Sequence, residues 1–270
     1  MGTFVNYLNH FRFRLNMKNY TVKKSGEKYY FKEVKNNKII WRKGRAQGLE
    51  GAKGRIGDIL KQIKEILKKK KKIKILEIGA GFGRALLELK KIFGDKIEVF
   101  GTNFEKEFNQ KLTKEYAIDQ GFSIKEVPKI YPNFDAGIKF PFKNNSFDFV
   151  FCQATMQYIS DRALFIEETN RILTKEGIAI LELQEYRKDH PKEYENLIEI
   201  WDNGKRIDFL KYLGKFKNMR IKKSKGRDWH YLVMKKTKNL NLGFKLAQVI
   251  DLENDIYFGW WGKKVIYVKK

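Results

Sequence analysis

The chain has few of the residue types that build metal centres and disulfide frameworks. Its 270 residues include one cysteine, Cys152, and three histidines, at positions 10, 190 and 230. A single cysteine excludes an intrachain disulfide and a zinc cluster of thiolates. The histidines are too far apart in the sequence to share a metal through a short ligand motif. The sequence therefore predicts no structural metal.

Long apolar runs are missing as well. No stretch reaches the roughly 18 apolar residues that a transmembrane helix needs. The N-terminal segment MGTFVNYLNHFRFRLNMKNY is interrupted by Asn, His and Arg, where a secretory signal needs a continuous apolar run. We therefore expect a cytoplasmic protein without a transmembrane segment.

Acidic residues are scarce relative to basic ones. Lys and Arg number 57 and Asp and Glu number 32, which gives a net charge of +25. The excess is uneven, with 21 basic against 5 acidic residues in 1–72, 15 against 16 in 73–183, and 21 against 11 in 184–270. Basic flanks around a balanced middle suit RNA or another polyanion as a partner, and they are equally consistent with solvated lysine-rich faces.

Residues 1–57 are predicted to form a basic N-terminal extension. Within it, residues 28–43 show two short strand patterns around Asn36-Asn37, which is typical of a hairpin. Glycines then recur every third residue, at 48, 51, 54 and 57. Because each glycine costs about 1 kcal/mol in a helix, we expect a mobile loop over 46–57. The lysines at 68–72 then fall in the last turn of a helix that Asp58 can cap, where cations suit the helix dipole.

Residues 58–270 are predicted to form the main domain. From Ile73 onward, the strand patterns IKILEIG, KIEVFGT, SIKEVP, SFDFVFCQA and IAILEL alternate with helical patterns, and DRALFIEETNRILTKEG is expected to be a helix ending at Gly177. GFKLAQVID and KKVIYVK are predicted to be two further, antiparallel strands. The alternation indicates an α/β fold, a Rossmann-like, mostly parallel seven-stranded sheet with helices on both faces. Residues 185–240 are too long for a simple connection and are predicted to form an inserted cap.

The turn after the first of these strands is rich in glycine and reads EIGAGFG, residues 77–83. Glycine permits unusual backbone angles there and lets a ligand approach the backbone at the start of the next helix. A dinucleotide-binding GxGxxG motif would need a glycine at position 84, where the chain has Arg84. A P-loop would need Gly-Lys-Ser/Thr, which does not follow.

Together with a second set of motifs, this turn resembles the class I S-adenosylmethionine (SAM)-dependent methyltransferases, and the type 11 methyltransferase family in particular. The second set consists of Asp135-Ala136, Pro141-Phe142, Phe147-Asp148, and Arg171-Ile172-Leu173 followed by Gly177. The resemblance covers about residues 73–183 and, more loosely, 243–269. It implies a SAM-dependent methyltransferase with SAM as its cofactor.

The resemblance also implies roles for individual residues. Glu77 would accept a hydrogen bond from the ammonium group of SAM and Asp135 one from the adenine amino group, while Cys152 and Gln153 would lie near the sulfonium. The family usually has an acidic residue for the ribose hydroxyls where this chain has Asn103, and an amide should bind them more weakly. The full set of expected cofactor-binding residues is Glu77, Gly79, Ala80, Gly81, Gly83, Asn103, Phe104, Asp135, Ala136, Cys152 and Gln153.

The methyl acceptor is left open by the sequence: a small molecule, a lipid and RNA all fit. Candidates for acceptor contact or for a general base are Gln157, Tyr158 and His230, because family members carry polar residues near the first two and a histidine titrates near neutrality. The Asn/Asp-Pro-Pro-Tyr motif of adenine amino-group methylation is absent, and Cys152 lacks the preceding proline of the cytosine-methylating enzymes. The alternative is a non-catalytic protein that binds RNA or a membrane surface on a degenerate methyltransferase scaffold, which Asn103 would favour.

Overall fold

A computed structural model describes residues 20–22, 30–33, 39–41, 47–183, 197–225, 230–252 and 262–270, the first three ranges at the level of the backbone. In chain order, its elements are β1 (Tyr20–Val22), β2 (Tyr30–Glu33), β3 (Ile39–Trp41), α1 (Leu49–Ile56), α2 (Ile59–Leu67), β4 (Ile73–Ile78), α3 (Arg84–Phe93), β5 (Ile97–Thr102), α4 (Gln110–Asp119), β6 (Lys129–Tyr131), β7 (Phe147–Cys152), α5 (Arg162–Ile172), β8 (Leu173–Leu183), β9 (Ile198–Asp202), β10 (Lys205–Ile207), α6 (Phe209–Leu213), β11 (Met219–Lys223), β12 (His230–Lys235), β13 (Phe244–Leu252) and β14 (Gly262–Lys269). Short 3-10 helices follow α3, α4 and β7.

The central element is a seven-stranded sheet in the order β11-β12-β8-β7-β4-β5-β6. The five strands from β6 to β8 are parallel, β12 is antiparallel to β8, and β11 is antiparallel to β12. The Rossmann-like, mostly parallel seven-stranded sheet is therefore confirmed. A separate four-stranded sheet is formed by strands from the C-terminal part of the chain.

Both faces of the central sheet are covered. On one face, a buried cluster joins α1, α2 and α3 to β4, β5, β7 and β8, with Ile63, Ile75 and Phe149 at 0% exposure. On the other face, a larger cluster joins α5 and the C-terminal sheet to the same strands, and Phe165, Val150 and Val265 are also at 0%. This arrangement confirms helices on both faces and gives a three-layered core around the parallel strands.

The hairpin expected within residues 28–43 is confirmed, because β2 and β3 pair antiparallel with Tyr30 opposite Trp41. β1 extends the pair to a three-stranded antiparallel sheet. The Asn36-Asn37 turn, and most of the rest of 1–46, lies outside the described residues.

The expectation of a mobile loop over 46–57 is wrong, since residues 49–56 form α1. The first turn of α1 is held by the Leu49 N–H, which donates to the Glu88 carboxylate of α3 at 2.7 Å. Ala52 and Ile56 are fully buried against the sheet and α3. This burial outweighs the cost of about 1 kcal/mol for each glycine in the helix.

Two other predicted boundaries are wrong. The strand expected over SIKEVP is replaced by a 3-10 helix, around which Ser123 and Glu126 form a reciprocal capping box, and the strand β6 begins at Lys129. The helix predicted to reach Gly177 ends at Ile172, where the Lys236 ammonium donates to two of its last carbonyls at 2.7 and 2.9 Å. The following residues, Gly177 included, belong to β8.

The interpretation of 185–240 as a cap outside the sheet is wrong for its described C-terminal part. Residues 219–235 contribute β11 and β12, which complete the central sheet. The two late strands β13 and β14 are antiparallel as predicted, but they belong to a separate sheet, in the order β10-β9-β14-β13. Residues 184–196 and 226–229 lie outside the described residues.

The C-terminal sheet docks on the start of α5. Tyr267 of β14 donates its hydroxyl proton to Asp161 at 2.9 Å and accepts from the Ala163 N–H at 3.0 Å. The buried Arg162 guanidinium donates to the carbonyls of Gln157 at 3.2 Å and Leu197 at 3.1 Å, and also to that of Lys263. These contacts join the second sheet to the segment that follows β7.

Candidate functional site

The candidate site lies where the direction of the sheet's connections reverses. From β4 the chain continues to β5 and β6 on one side, whereas β7 and β8 lie on the other. In open α/β sheets, the crevice outside the carboxyl ends of the strands at such a switch point is the usual place for a ligand. The glycine-rich turn follows β4 at this point.

The backbone of the turn is folded tightly against the end of β5. Gly79, Gly81 and Gly83 all have positive φ, at 75°, 57° and 79°. The N–H groups of Gly79 and Ala80 both donate to the Thr102 carbonyl at 2.9 Å. A Cβ on Gly79 would lie 2.1 Å from the Thr155 hydroxyl oxygen, so the position combines a left-handed backbone with a close neighbour. Only glycine meets both conditions without strain.

Glu77 lies near the end of β4, two residues before Gly79, and carries a buried carboxyl group. Its side chain is 1% exposed, and its Oε1 accepts from the Gln153 amide at 2.9 Å. Its Oε2 is buried and has no hydrogen-bond partner within the described residues. Burial raises the pKa of Glu77 to about 8, against the opposing effect of the Gln153 hydrogen bond. A ligand that brings a cation or a donor to Oε2 would relieve this penalty.

The residues after β7 form the opposite wall. Gln153 is 2% exposed, and its own Oε1 is also buried without a partner among the described residues. The Thr155 hydroxyl donates to the Gln153 carbonyl at 3.0 Å, and this hydrogen bond keeps the Thr155 side chain against Gly79. Two acceptor oxygens, one each from Glu77 and Gln153, are thus buried side by side with unfilled hydrogen-bonding capacity.

Asn103, at the end of β5, contacts the turn itself. Its side-chain oxygen accepts from the Gly81 N–H at 2.7 Å, and its side-chain nitrogen donates to the Gly81 carbonyl at 3.1 Å. Phe104 follows with 70% of its surface exposed. The expected contact of Asn103 with the ribose hydroxyls stays a prediction. In this structure the Asn103 amide instead forms hydrogen bonds with the Gly81 backbone.

The Asp135-Ala136 loop is joined to the same region through the backbone. The Phe134 N–H donates to the Asn103 carbonyl at 2.9 Å. Asp135 is half-buried and accepts from the Gly137 N–H at 2.7 Å, while Ala136 is buried. All the residues expected to bind the cofactor therefore lie on connected segments at the carboxyl ends of β4, β5, β6 and β7, and their individual roles stay predictions.

Cys152 is fully buried at the end of β7. Burial, followed by the nearby carboxyl groups of Glu182 and Glu77, raises the pKa of its thiol well above the ordinary value. A thiol in this setting stays protonated at neutral pH, which suits a small apolar packing residue and not a nucleophile.

The three residues expected near the acceptor are placed differently. Gln157 lies in the 3-10 helix after β7, is 6% exposed, and has a buried Oε1 without a partner in the described chain. Tyr158 next to it is 45% exposed. His230 begins β12, opposite Leu183 of β8, which puts it two strand spacings from β7, or about 10 Å across the sheet.

Sequence reasoning missed a second buried carboxylate, Glu182 of β8. It is 0% exposed, accepts from Arg55 of α1 at 2.9 Å and also accepts from the Ala154 N–H, a residue with positive φ. Glu182 therefore links α1 to the wall formed by Gln153 and Thr155. A signal was present, because β8 ends in IAILEL and β4 reads IKILEI, with the glutamate fifth in both.

The lysine run after α2 lies at the opposite end of the sheet from this site. The lysine run precedes the first residue of β4, whereas the glycine turn follows its last residue. The six-residue strand between them spans about 20 Å. A groove of about 600 Å³ opens there, lined by Lys64, Leu67, Lys68, Lys70, Lys71, Phe93 and Lys96. The basic run is therefore remote from the candidate site.

The donors and acceptors of the site fit the expected cofactor. SAM has an ammonium group, which matches the two unfilled oxygens of Glu77 and Gln153. Within the turn Gly79 is partly exposed, whereas residues 80–83, which lead into α3, are buried. In the described ranges, no group of three or more His, Cys, Asp and Glu is arranged for a metal ion, and no helix is long and apolar enough to cross a membrane.

Comparison with known proteins gives one family match. Residues 76–181 match the family model described as a methyltransferase domain. None of the curated protein sequences compared with the chain matches it.

Among solved structures, a SAM-dependent methyltransferase from Aquifex aeolicus aligns over 64% of this chain and 87% of its own, with 19% identity and a TM-score of 0.43. The YcgJ protein of Bacillus subtilis aligns over 48% and 53%, with 21% identity and a TM-score of 0.36. A phosphoethanolamine N-methyltransferase from Haemonchus contortus aligns over 52% and 32%, with 17% identity and a TM-score of 0.39. The chain thus spans about half of the Bacillus protein and a third of the Haemonchus protein, and nothing about substrate follows from these likenesses.

Proposed function

We propose that this protein, whose residues 76–181 match the methyltransferase domain family model, is a SAM-dependent methyltransferase that binds SAM at the glycine turn after β4 and transfers its methyl group to an acceptor. The observation that carries the proposal is the buried Oε2 of Glu77, which has no partner within the described residues and belongs to the residue two positions before Gly79. A buried acceptor without a partner costs about 1–3 kcal/mol, so a ligand ammonium would be strongly preferred there.

SAM supplies a methyl group on a sulfonium, and in the transfer the acceptor's lone pair bonds to the methyl carbon while the carbon–sulfur electron pair stays on sulfur. The chain contributes alignment and exclusion of water. Glu77 and Gln153 would hold the methionyl end, and Asp135 with Ala136 the adenine. Gln157, Tyr158 and His230 are the candidates to orient the acceptor or to take a proton from it. A neutral amine acceptor needs no base in the bond-forming step, whereas a hydroxyl needs one.

Calorimetric titration with SAM and S-adenosylhomocysteine tests the proposal. The wild-type chain should bind both, and Gly79→Ala should weaken binding roughly tenfold or more because the new Cβ would meet Thr155. Gly121→Ala is the matched control, since Gly121 has nearly the same φ, 74° against 75°, and open space where its Cβ would go. Absence of binding by the wild-type chain at millimolar ligand would refute the proposal and leave the non-catalytic alternative.

A second, separate candidate is that the lysine-lined groove binds the phosphates of RNA, either as the acceptor or as a docking partner. Lys68, Lys70 and Lys72 are paired with Glu65, Asp148 and Glu98. Lys64, Lys71 and Lys96 are exposed and have no acidic partner among the described residues. The apolar floor of Leu67 and Phe93 would suit unstacked bases.

Binding of a labelled single-stranded RNA at two or more salt concentrations tests this candidate. Affinity should fall steeply with salt, and replacing Lys64, Lys71 and Lys96 with glutamine should lower the slope of log affinity against log salt by about 0.7 for each phosphate that is no longer neutralised. Replacing the exposed Lys111, Lys114 and Lys125 is the control. A salt-independent affinity, or equal effects of the two triple variants, would exclude the groove as the RNA site, and binding to anionic vesicles instead would assign it to a membrane surface.

A further inference from the structure

Asn103 has no free donor left for a ligand. The residue is 3% exposed, and its side-chain nitrogen donates both protons to backbone carbonyls, to Gly81 at 3.1 Å and to Phe108 at 3.0 Å. Its oxygen accepts from the Gly81 N–H at 2.7 Å. Because two carbonyls face the nitrogen and one N–H faces the oxygen, the orientation of the amide is fixed.

The backbone of the same residue joins two other segments. The Asn103 N–H donates to the Tyr131 carbonyl at 3.0 Å, and its carbonyl accepts from the Phe134 N–H at 2.9 Å. Asn103 therefore connects the glycine turn, the segment that leads to Phe108, and the loop that carries Asp135. These are three of the segments expected to surround SAM.

We propose that Asn103 is a positioning residue, which holds the glycine turn and the Asp135 loop in their binding arrangement and does not itself grip the ribose hydroxyls; this inference rests on the proposed SAM site. An acidic residue, which the family usually has here, would be unsuitable in this chain. A carboxylate offers no proton to the carbonyls of Gly81 and Phe108 and would repel both. The amide is therefore a requirement of this loop packing and not a sign of a degenerate site.

Affinity for S-adenosylhomocysteine separates the two roles by the sign of the change. If Asn103 bound the ribose, Asn103→Asp should bind more tightly, because a charge-assisted hydrogen bond would replace a neutral one. If it positions the turn, Asn103→Asp should bind roughly tenfold or more weakly, and Asn103→Ala should also be weaker. Binding is measured by calorimetry alongside thermal unfolding of the ligand-free variants.

Asn170 provides a matched control outside the site. Its side chain is 2% exposed and bridges the N–H and carbonyl of Thr237 at 2.9 and 3.0 Å, the same arrangement that Asn103 makes with Gly81. Asn170→Asp should lower the unfolding temperature but leave the affinity for S-adenosylhomocysteine within about twofold of wild type. A loss of affinity in both variants would mean that Asn103 acts only through general stability and would overturn the proposal.

A second ligand makes the test independent of folding losses. The 2′-deoxy analogue of S-adenosylhomocysteine lacks one ribose hydroxyl, and its affinity ratio to the parent compound is measured for wild type and for Asn103→Ala. A positioning role predicts the same ratio in both proteins, and a ratio that collapses toward one in the variant would assign the hydroxyl contact to Asn103. Failure of wild type to bind either ligand would instead refute the SAM site itself.

Discussion

Replacing Glu77 with glutamine should weaken SAM binding and at the same time stabilise the ligand-free protein at neutral and mildly alkaline pH. The binding loss follows from removing the charge that the ammonium would meet in a buried setting. Truncating one partner of a buried charged pair costs about 2–5 kcal/mol, so we expect a loss of roughly 30-fold or more. Calorimetry of Glu77→Gln against wild type measures it.

The gain in stability follows from the raised pKa of Glu77. Burial raises this pKa to about 8 in the folded state, whereas the ordinary value, which the unfolded chain keeps, is 4.5. Between these two values the unfolded chain is ionised and the folded protein holds the proton, so the free energy of unfolding falls as pH rises, by up to about 1.4 kcal/mol per pH unit. Glutamine does not titrate. Its advantage should therefore be small near pH 4.5, grow with pH, and level off above pH 8.

Denaturant unfolding of wild type and Glu77→Gln at several pH values between 5 and 8.5 tests the predicted gain in stability. The control is Glu98→Gln, because Glu98 lies on the neighbouring strand with 40% of its side chain exposed and its pKa is lowered by a hydrogen bond to Lys72. That substitution should neither stabilise the fold nor change the affinity for SAM. If the free energy of unfolding of Glu77→Gln ran parallel to that of wild type across this pH range, the raised pKa of the buried Glu77 would be contradicted.

SAM binding should also release a proton near neutral pH. If the ammonium stabilises the ionised form of Glu77, its proton must leave as the complex forms. The heat of binding at pH 7 should then depend on the ionisation enthalpy of the buffer in the wild-type protein. The dependence should disappear with Glu77→Gln.

The sequence identified the glycine turn and its surroundings because their constraints are local. A run of alternating glycines after an apolar strand requires positive φ, and the structure has it at Gly79, Gly81 and Gly83. The parallel strands β4, β5, β7 and β8 were also predictable. They are short apolar runs separated by helical patterns, and their burial on both faces leaves a plain signal.

What sequence reasoning missed depends on contacts between distant segments. α1 is a poor helix by composition and forms because Ala52 and Ile56 fit a pocket made by β8, β12 and α3. β11 is the edge strand of the central sheet, and its exposed Arg220, Lys222 and Lys223 obscure the apolar alternation by which strands are recognised. The sequence pattern alone therefore could not show that residues 219–235, and not residues 243–269, supply the last two strands of the central sheet.

The sequence predicted which segments form the site, but it did not predict the side-chain contacts between them. The positions at the ends of β4, β5, β6 and β7 follow from the strand-turn-helix pattern, so their proximity was foreseeable. Whether a side chain at such a position faces a ligand or the backbone of a neighbouring loop depends on how closely two turns approach. Asn103 and Gly81 are 22 residues apart, and only the folded structure shows that they exchange two hydrogen bonds.

Removing the Arg55 side chain should be among the most destabilising single changes in the described part of the chain. Its guanidinium is 13% exposed and donates to Glu182, whose side chain is at 0%. Removing the cation of a buried ion pair costs about 3–5 kcal/mol, and we expect Arg55→Met to lose about 3 kcal/mol because the Ala154 N–H still donates to Glu182. SAM affinity should fall too, since Glu182 also holds the wall that carries Gln153.

The double variant Arg55→Met with Glu182→Gln distinguishes this cause from a loss of packing. Neutralising Glu182 removes the charge that Arg55 pairs with, so the double variant should recover at least about half of the stability, as exchange of a buried ion pair for neutral groups of similar size is often tolerated. Lys72→Met is the control, because the Lys72–Glu98 pair is 55% and 40% exposed and should be worth less than about 1 kcal/mol. Equal stability of the single and double variants in denaturant unfolding would show that packing alone holds α1 in place. The charge of Glu182, the glutamate of IAILEL, would then have no part in supporting the site.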